Sequence, residues 1–251
     1  IMVRLLAKVT HLQNWLIENS LLHFGVVCFT SAAVGIAVAA LFSIYKSKNK
    51  KPAPHMDRAW IEVHLNHLAH NVKVLKKAMP PKCQLMAVVK AEAYGHRAFE
   101  VSTCLEKIGV KAFAVATIDE GIQLRKYGIR GEILILGYTA AWRAAELKKY
   151  NLIQTLISYE HAIALNRQGI SIKAHLKIDT GMHRLGILSS DLTDVERVFS
   201  LKHITVCGIY THLCCSDSLQ TSDVAFTRKQ IDHFYTLIYT LRNRGITIPK
   251  L

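Results

Sequence analysis

Hydrophobic positions fall in two different patterns along the chain, one unbroken and one periodic. From Asn19 to Tyr45 there is no Asp, Glu, Lys or Arg. A helix needs about 20 apolar residues to cross the hydrocarbon core of a bilayer. Residues 21–44 supply them, and the small residues Ser31, Ala32, Ala33, Gly35, Ala37, Ala39 and Ala40 suit close helix packing. The pattern predicts one transmembrane helix within residues 1–45. A secretory signal would have a shorter apolar stretch nearer the start and a small-residue cleavage site, whereas this run ends at Tyr45 and passes into Lys46, Lys48, Lys50 and Lys51. Those lysines outweigh Arg4 and Lys8 on the other flank, so the positive-inside rule places the chain beyond residue 45 at the cytoplasmic face of the cell membrane. The first residue is Ile1 rather than Met, which leads us to expect further sequence upstream.

Residues 46–58 are charged and broken by prolines, as a linker would be. From residue 59 the pattern becomes periodic. Strand-type runs are predicted at 85–89, 112–117, 132–136, 153–158, 174–179 and 204–210. Segments of helical period lie between and around them, such as Leu65, Leu68, Val72 and Leu75 before the first run and Ile231, Phe234, Leu237, Ile238 and Leu241 after the last. This alternation is that of a parallel α/β sheet. No glycine-rich dinucleotide fingerprint comes after any strand, which favours a barrel over an open doubly wound sheet. A closed (β/α)8 barrel of the TIM type takes about 250 residues, and about 190 lie beyond the linker. The expectation is therefore a partial barrel of about six βα units over residues 59–251, cut short at its C-terminus.

The net charge of +14 changes this picture little. The basic residues are spread among apolar periodic segments with no recognition module, so nucleic acid is not the expected partner. Six cysteines occur without a C-x-x-C pair or regular spacing, which speaks against a disulfide framework or a structural zinc site. His212, Cys214, Cys215 and Asp217 have metal-ligand chemistry, but no second ligand group is spaced to complete a site, and no metal is expected.

Lys90 closes the apolar run Leu85, Met86, Ala87, Val88 and Val89, which places its amine at the C-terminal mouth of the barrel, where βα loops build active sites. An amine there can form a Schiff base with an aldehyde cofactor. The plainer alternative is a lysine that ends a strand and snorkels to water. The segment Ala87-Val88-Val89-Lys90-Ala91-Glu92-Ala93-Tyr94-Gly95-His96 resembles the pyridoxal-phosphate signature of the alanine racemase family. That resemblance implies a cofactor lysine at Lys90 and a phosphate ligand at Tyr94. Glu92 departs from the short polar residue usual in the family, and Arg97 from a common glycine.

Two further runs carry the resemblance. Lys177-Ile178-Asp179-Thr180-Gly181-Met182-His183-Arg184-Leu185-Gly186 is similar to the family's K-[IVL]-D-T-G-M-x-R-L-G run. It implies that Arg184 reaches the cofactor's phenolic oxygen and the substrate carboxylate, with Lys177 carbamylated beside it. A planar guanidinium also suits a carboxylate on chemical grounds alone. Gly208-Ile209-Tyr210-Thr211-His212-Leu213 is similar to a segment whose histidine, here His212, lies beside the pyridine ring. Phe226 and Gln230 fit the same pattern. The resemblance covers residues 59–251. It implies a pyridoxal 5′-phosphate enzyme racemising alanine or serine for cell-wall precursors, most like the membrane-bound serine/alanine racemases associated with vancomycin resistance. It further implies a homodimer formed through a C-terminal β-rich domain that supplies the opposite-face base. Since that domain would lie beyond residue 251, the 251 residues alone are expected not to racemise. The rival readings are a non-racemising cofactor-binding barrel, an amino-acid decarboxylase, and a membrane-tethered fragment without turnover.

Overall fold

A computed structural model describes residues 60–251, and all of these but Trp60 form one compact unit, Ile61–Leu251. The expected membrane helix and the linker lie outside the described residues. Among the described residues no helix is long and apolar enough to cross a membrane.

Helix α1 (Leu65–Ala78) ends just before Pro80 and Pro81, which cannot continue it. Strand β1 (Met86–Val88) comes next, then α2 (Ala98–Lys107), β2 (Ala112–Val115), α3 (Ile118–Lys126) and β3 (Glu132–Ile135). The chain continues through α4 (Ala144–Lys149), β4 (Ile153–Leu156), α5 (Tyr159–Asn166), β5 (Ile172–Asp179), the two-residue β6 (Ile187–Leu188), α6 (Leu192–Phe199), β7 (Ile204–Tyr210) and α7 (Thr221–Asn243). All strand pairs are parallel, in the order β1-β2-β3-β4-β5-β7, with β6 added against the end of β5. The six long strands are those expected from the sequence. They are shorter where a helix cap intervenes: Thr117 and Ser158, expected at strand ends, cap α3 and α5 through their hydroxyls.

The main core lies between helices and sheet. Phe113, Val115, Ile133, Ile135, Leu156 and Leu176 face it from the strands, and Leu105, Leu124, Leu147, Leu165, Val195 and Leu241 from the helices. A second cluster of Ala114, Leu134 and Ile153, with Met86 and Tyr210 against it, fills the inner face of the sheet. Strand β5 divides its side chains cleanly by the two-residue strand period. Ile172, Ala174, Leu176 and Ile178 join the main core. The intervening Lys173, His175, Lys177 and Asp179 take the inner face, and the last three are buried.

The pairing of β5 with β7 slips by one residue between Ala174 and His175, so that His175 stands opposite Gly208. A Cβ on Gly208 would lie 2.7 Å from Nε2 of His175, so the absence of a side chain there is what admits the imidazole. Beyond β7, the Ile209 amide donates to the Lys250 carbonyl at 2.9 Å, and Lys250 pairs with Glu132 at 2.6 Å.

Candidate active site

The C-terminal ends of β1, β5 and β7 carry the residues singled out in the sequence. Lys90 leaves β1 half-buried, and its ammonium lies 5.7 Å from the centre of the Tyr94 ring, which is itself 60% exposed. Between them the backbone is left-handed. Ala91, Glu92, Ala93 and Tyr94 have φ of 50°, 53°, 54° and 56°. Each such residue costs roughly 1–2 kcal/mol when it is not glycine. Strain of this kind persists only where the surroundings over-determine it, and it gathers at functional sites. The surroundings here are two carboxylates. Glu120 accepts from the Ala91 amide at 2.7 Å, and Glu92 accepts from the Ala98 amide at 3.1 Å where α2 begins.

On β5, Lys177 is 4% exposed, and its Nζ lies 5.6 Å from the centre of the Tyr210 ring. Burial pushes this amine below its ordinary pKa and Arg184 adds to the effect, while Asp179 opposes it. Tyr210 hydrogen-bonds Thr155 across the inner face at 3.1 Å, and burial pushes its phenol upward. Asp179 organises the loop after β5. Burial alone would raise its carboxyl, but the amides of Gly181 at 2.9 Å and His183 at 3.1 Å hold it below the usual value. Gly186 closes the same loop at φ 116°, where a Cβ would stand 2.9 Å from the Lys177 carbonyl oxygen. Arg184 is presented from this loop and is exposed.

His212 lies just past β7 and is anchored through its backbone. The fully buried Gln230 on α7 donates to the His212 carbonyl at 3.2 Å and to the Thr180 hydroxyl at 3.3 Å, and accepts from the Cys214 amide at 3.2 Å. Partial burial lowers the His212 imidazole, and the charges of Arg184, Lys177 and Lys90 lower it further. The structure thus brings Lys90, Lys177, Arg184 and His212 together. Among the described residues none of the three cations makes an ion pair with a carboxylate. Phe226, also noted in the sequence, lies with its ring against Gly181, so that a Cβ on that glycine would stand 3.2 Å from Cζ. Among the described residues no group of three or more His, Cys, Asp or Glu side chains is placed to hold a metal ion.

Sequence reasoning passed over Glu120, Thr155 and the anchoring bonds of Gln230. Only Glu120 had a local signal, the Thr117-x-x-Glu120 capping box before an apolar helix.

A parallel βα sheet with a strand-end lysine, two more cations and an imidazole gathered at one mouth defines a barrel-type domain with a cationic site at the ends of its strands. The chain belongs to the alanine racemase N-terminal domain family, which covers residues 63–251. An amino-acid racemase of Enterococcus faecalis is 56% identical over 98% of this chain and 34% of its own length. A serine/alanine racemase of Enterococcus gallinarum is 39% identical over 96% of this chain and 33% of its own. The chain thus spans about a third of the length of these two relatives. Among solved structures, alanine racemase of Clostridium difficile 630 in complex with cycloserine superposes with a TM-score of 0.72 at 31% identity, covering 78% of this chain and 55% of that one. Enzymes of this family are isomerases that use pyridoxal 5′-phosphate. The unpaired cations fit such a group, whose phosphate and phenolic oxygen both carry negative charge.

Proposed function

We propose that this chain is the cofactor-binding part of a pyridoxal-phosphate-dependent racemase acting on alanine and serine, held at the cytoplasmic face of the cell membrane by residues 1–45. The observation that carries the reading is the convergence of Lys90, Lys177 and Arg184 on His212, none of the three in an ion pair with a carboxylate among the described residues. Lys90 would hold the cofactor aldehyde covalently and would serve as the acid/base on one face of Cα. Tyr94 would hold the phosphate, His212 would stand beside the ring, and Arg184 would hold the phenolic oxygen and the substrate carboxylate. When bound, the cofactor supplies the electron sink that acidifies the Cα proton.

The depressed amine of Lys177 suits carbamylation, because only the neutral form attacks carbon dioxide. The resulting negative charge would then stand beside Arg184 and steady it. A base on the opposite face, a homodimer through a C-terminal domain, and a place in the supply of D-amino acids for the cell wall complete the proposal. The membrane part is supported by the uncharged run from Asn19 to Tyr45 and by the lysines that follow it.

Reduction with borohydride in the presence of pyridoxal phosphate is expected to fix the cofactor to the peptide carrying Lys90, as read by mass spectrometry. Lys90→Ala is expected to leave the chain colourless. Labelling of a different lysine, or colour that survives the substitution, would overturn the assignment.

A further inference from the structure

We propose that Glu120 is a positioning residue for Lys90, acting through the Ala91 amide; the proposal rests on the reading of Lys90 as the cofactor lysine. The nitrogen of Ala91 belongs to the peptide unit that begins at Lys90. Fixing the direction of its N–H fixes ψ of Lys90, and with it the direction in which the side chain leaves the strand. The bonds within the turn, from the Ala93 amide to the Val89 carbonyl and from the Gly95 amide to the Ala91 carbonyl, both 3.0 Å, close the turn on itself. The bond to Glu120 ties its first peptide to the neighbouring βα unit.

Glu120 does more than a capping box requires. In that motif one carboxylate oxygen returns to the N-cap amide. Here Oε2 accepts from both Ala116 at 2.6 Å and Thr117 at 3.2 Å, while Oε1 is directed across to Ala91 at 2.7 Å. The carboxylate joins the ends of β1 and β2, and all three of its donors are backbone amides. An ionised acceptor forms shorter and stronger bonds than a neutral one. Nothing local favours the left-handed turn: Ala91, Glu92 and Ala93 are all good right-handed helix formers. Its handedness is therefore imposed by tertiary bonds, and Glu120 provides the one to the peptide that follows Lys90.

Two variants separate positioning from capping. Glu120→Gln keeps the shape but turns an NH2 group towards an amide that also donates. Thr117→Ala removes the other half of the capping box, the 3.3 Å bond from the Glu120 amide, and leaves the Ala91 bond intact. The full 251-residue chain in detergent micelles would be followed in two ways. One is amide exchange at Ala91 by NMR without cofactor; the other is spectrophotometric titration with pyridoxal phosphate. Glu120→Gln is expected to speed Ala91 exchange and to weaken cofactor binding by about tenfold each, as loss of a charge-assisted hydrogen bond implies. Thr117→Ala should lower Tm, as loss of a helix cap implies, yet leave both readings within about twofold of the parent.

Unchanged Ala91 exchange in Glu120→Gln would overturn the proposal. So would a loss of affinity in Thr117→Ala equal to that in Glu120→Gln. Should the parent chain take no cofactor at Lys90, the reading of the site fails by itself, and the cofactor-free exchange measurement still decides whether Glu120 holds the turn.

Discussion

At the scale of single residues, His175 shows how the inner face of the sheet trades polarity for stability. Its imidazole is buried, its Nε2 has no hydrogen-bond partner among the described residues, and its pKa is lowered to about 4, chiefly by burial, then by Lys250, with Glu132 opposing. Between about pH 4 and its ordinary 6.5 the unfolded chain binds the proton more readily than the folded one. Its neutral form therefore contributes full stability above pH 6.5, and that contribution is lost as pH falls through the window to about 4. The loss amounts to roughly 3 kcal/mol at the lower end. A His175→Gln chain should lose less Tm than the parent between pH 7 and pH 4.5, and superimposable profiles would remove the argument. Lys90, Arg184 and His212 stood out as candidates because each lies in a run whose order carries chemistry. Glu120 did not, and Gln230 stood out only as fitting the same pattern; the bonds of both depend on amides and carbonyls brought near only by folding.

At the scale of elements, apolar periodicity located all six long strands but not their ends. Hydrophobicity does not distinguish the last strand residue from a capping Thr117 or Ser158. The two-residue β6 has no periodic signal of its own and forms because the Asp179 loop returns the chain to β5. In α1 the spacing of Leu65, Leu68, Val72 and Leu75 implied a buried face, yet only Val72 is buried and Leu75 is 52% exposed. This helix packs on α2, with Leu68 half-buried against the main core. The slip between β5 and β7 was also invisible, although Gly208 marks it. Gly208→Ala should force a methyl group against the His175 ring and destabilise the domain by about 1–3 kcal/mol. Adding His175→Ser should recover part of that loss in urea unfolding; strictly additive effects would show that the two positions do not compete for space.

At the scale of the whole molecule, parallel βα order and an incomplete barrel were both legible, because each strand pairs with the next long strand in sequence and the units could be counted. Strand β1 has a neighbour on one side only among the described residues, whereas β4 is flanked by β3 and β5. Amides of β1 that face away from β2 should exchange well before those of β4 in native-state hydrogen exchange. Equal protection would mean that another segment covers that edge. The alternation along β5 carries a different kind of consequence, for descent rather than for stability. One side of this strand is hydrocarbon and the other is ionic, so a single-residue deletion between Ile172 and Asp179 would exchange the two sides of every position beyond it. Lineages can vary which aliphatic residue occupies a given outer position, but a codon lost here carries ammonium and carboxylate groups into the helix-facing core. In this strand, length should drift far less than composition.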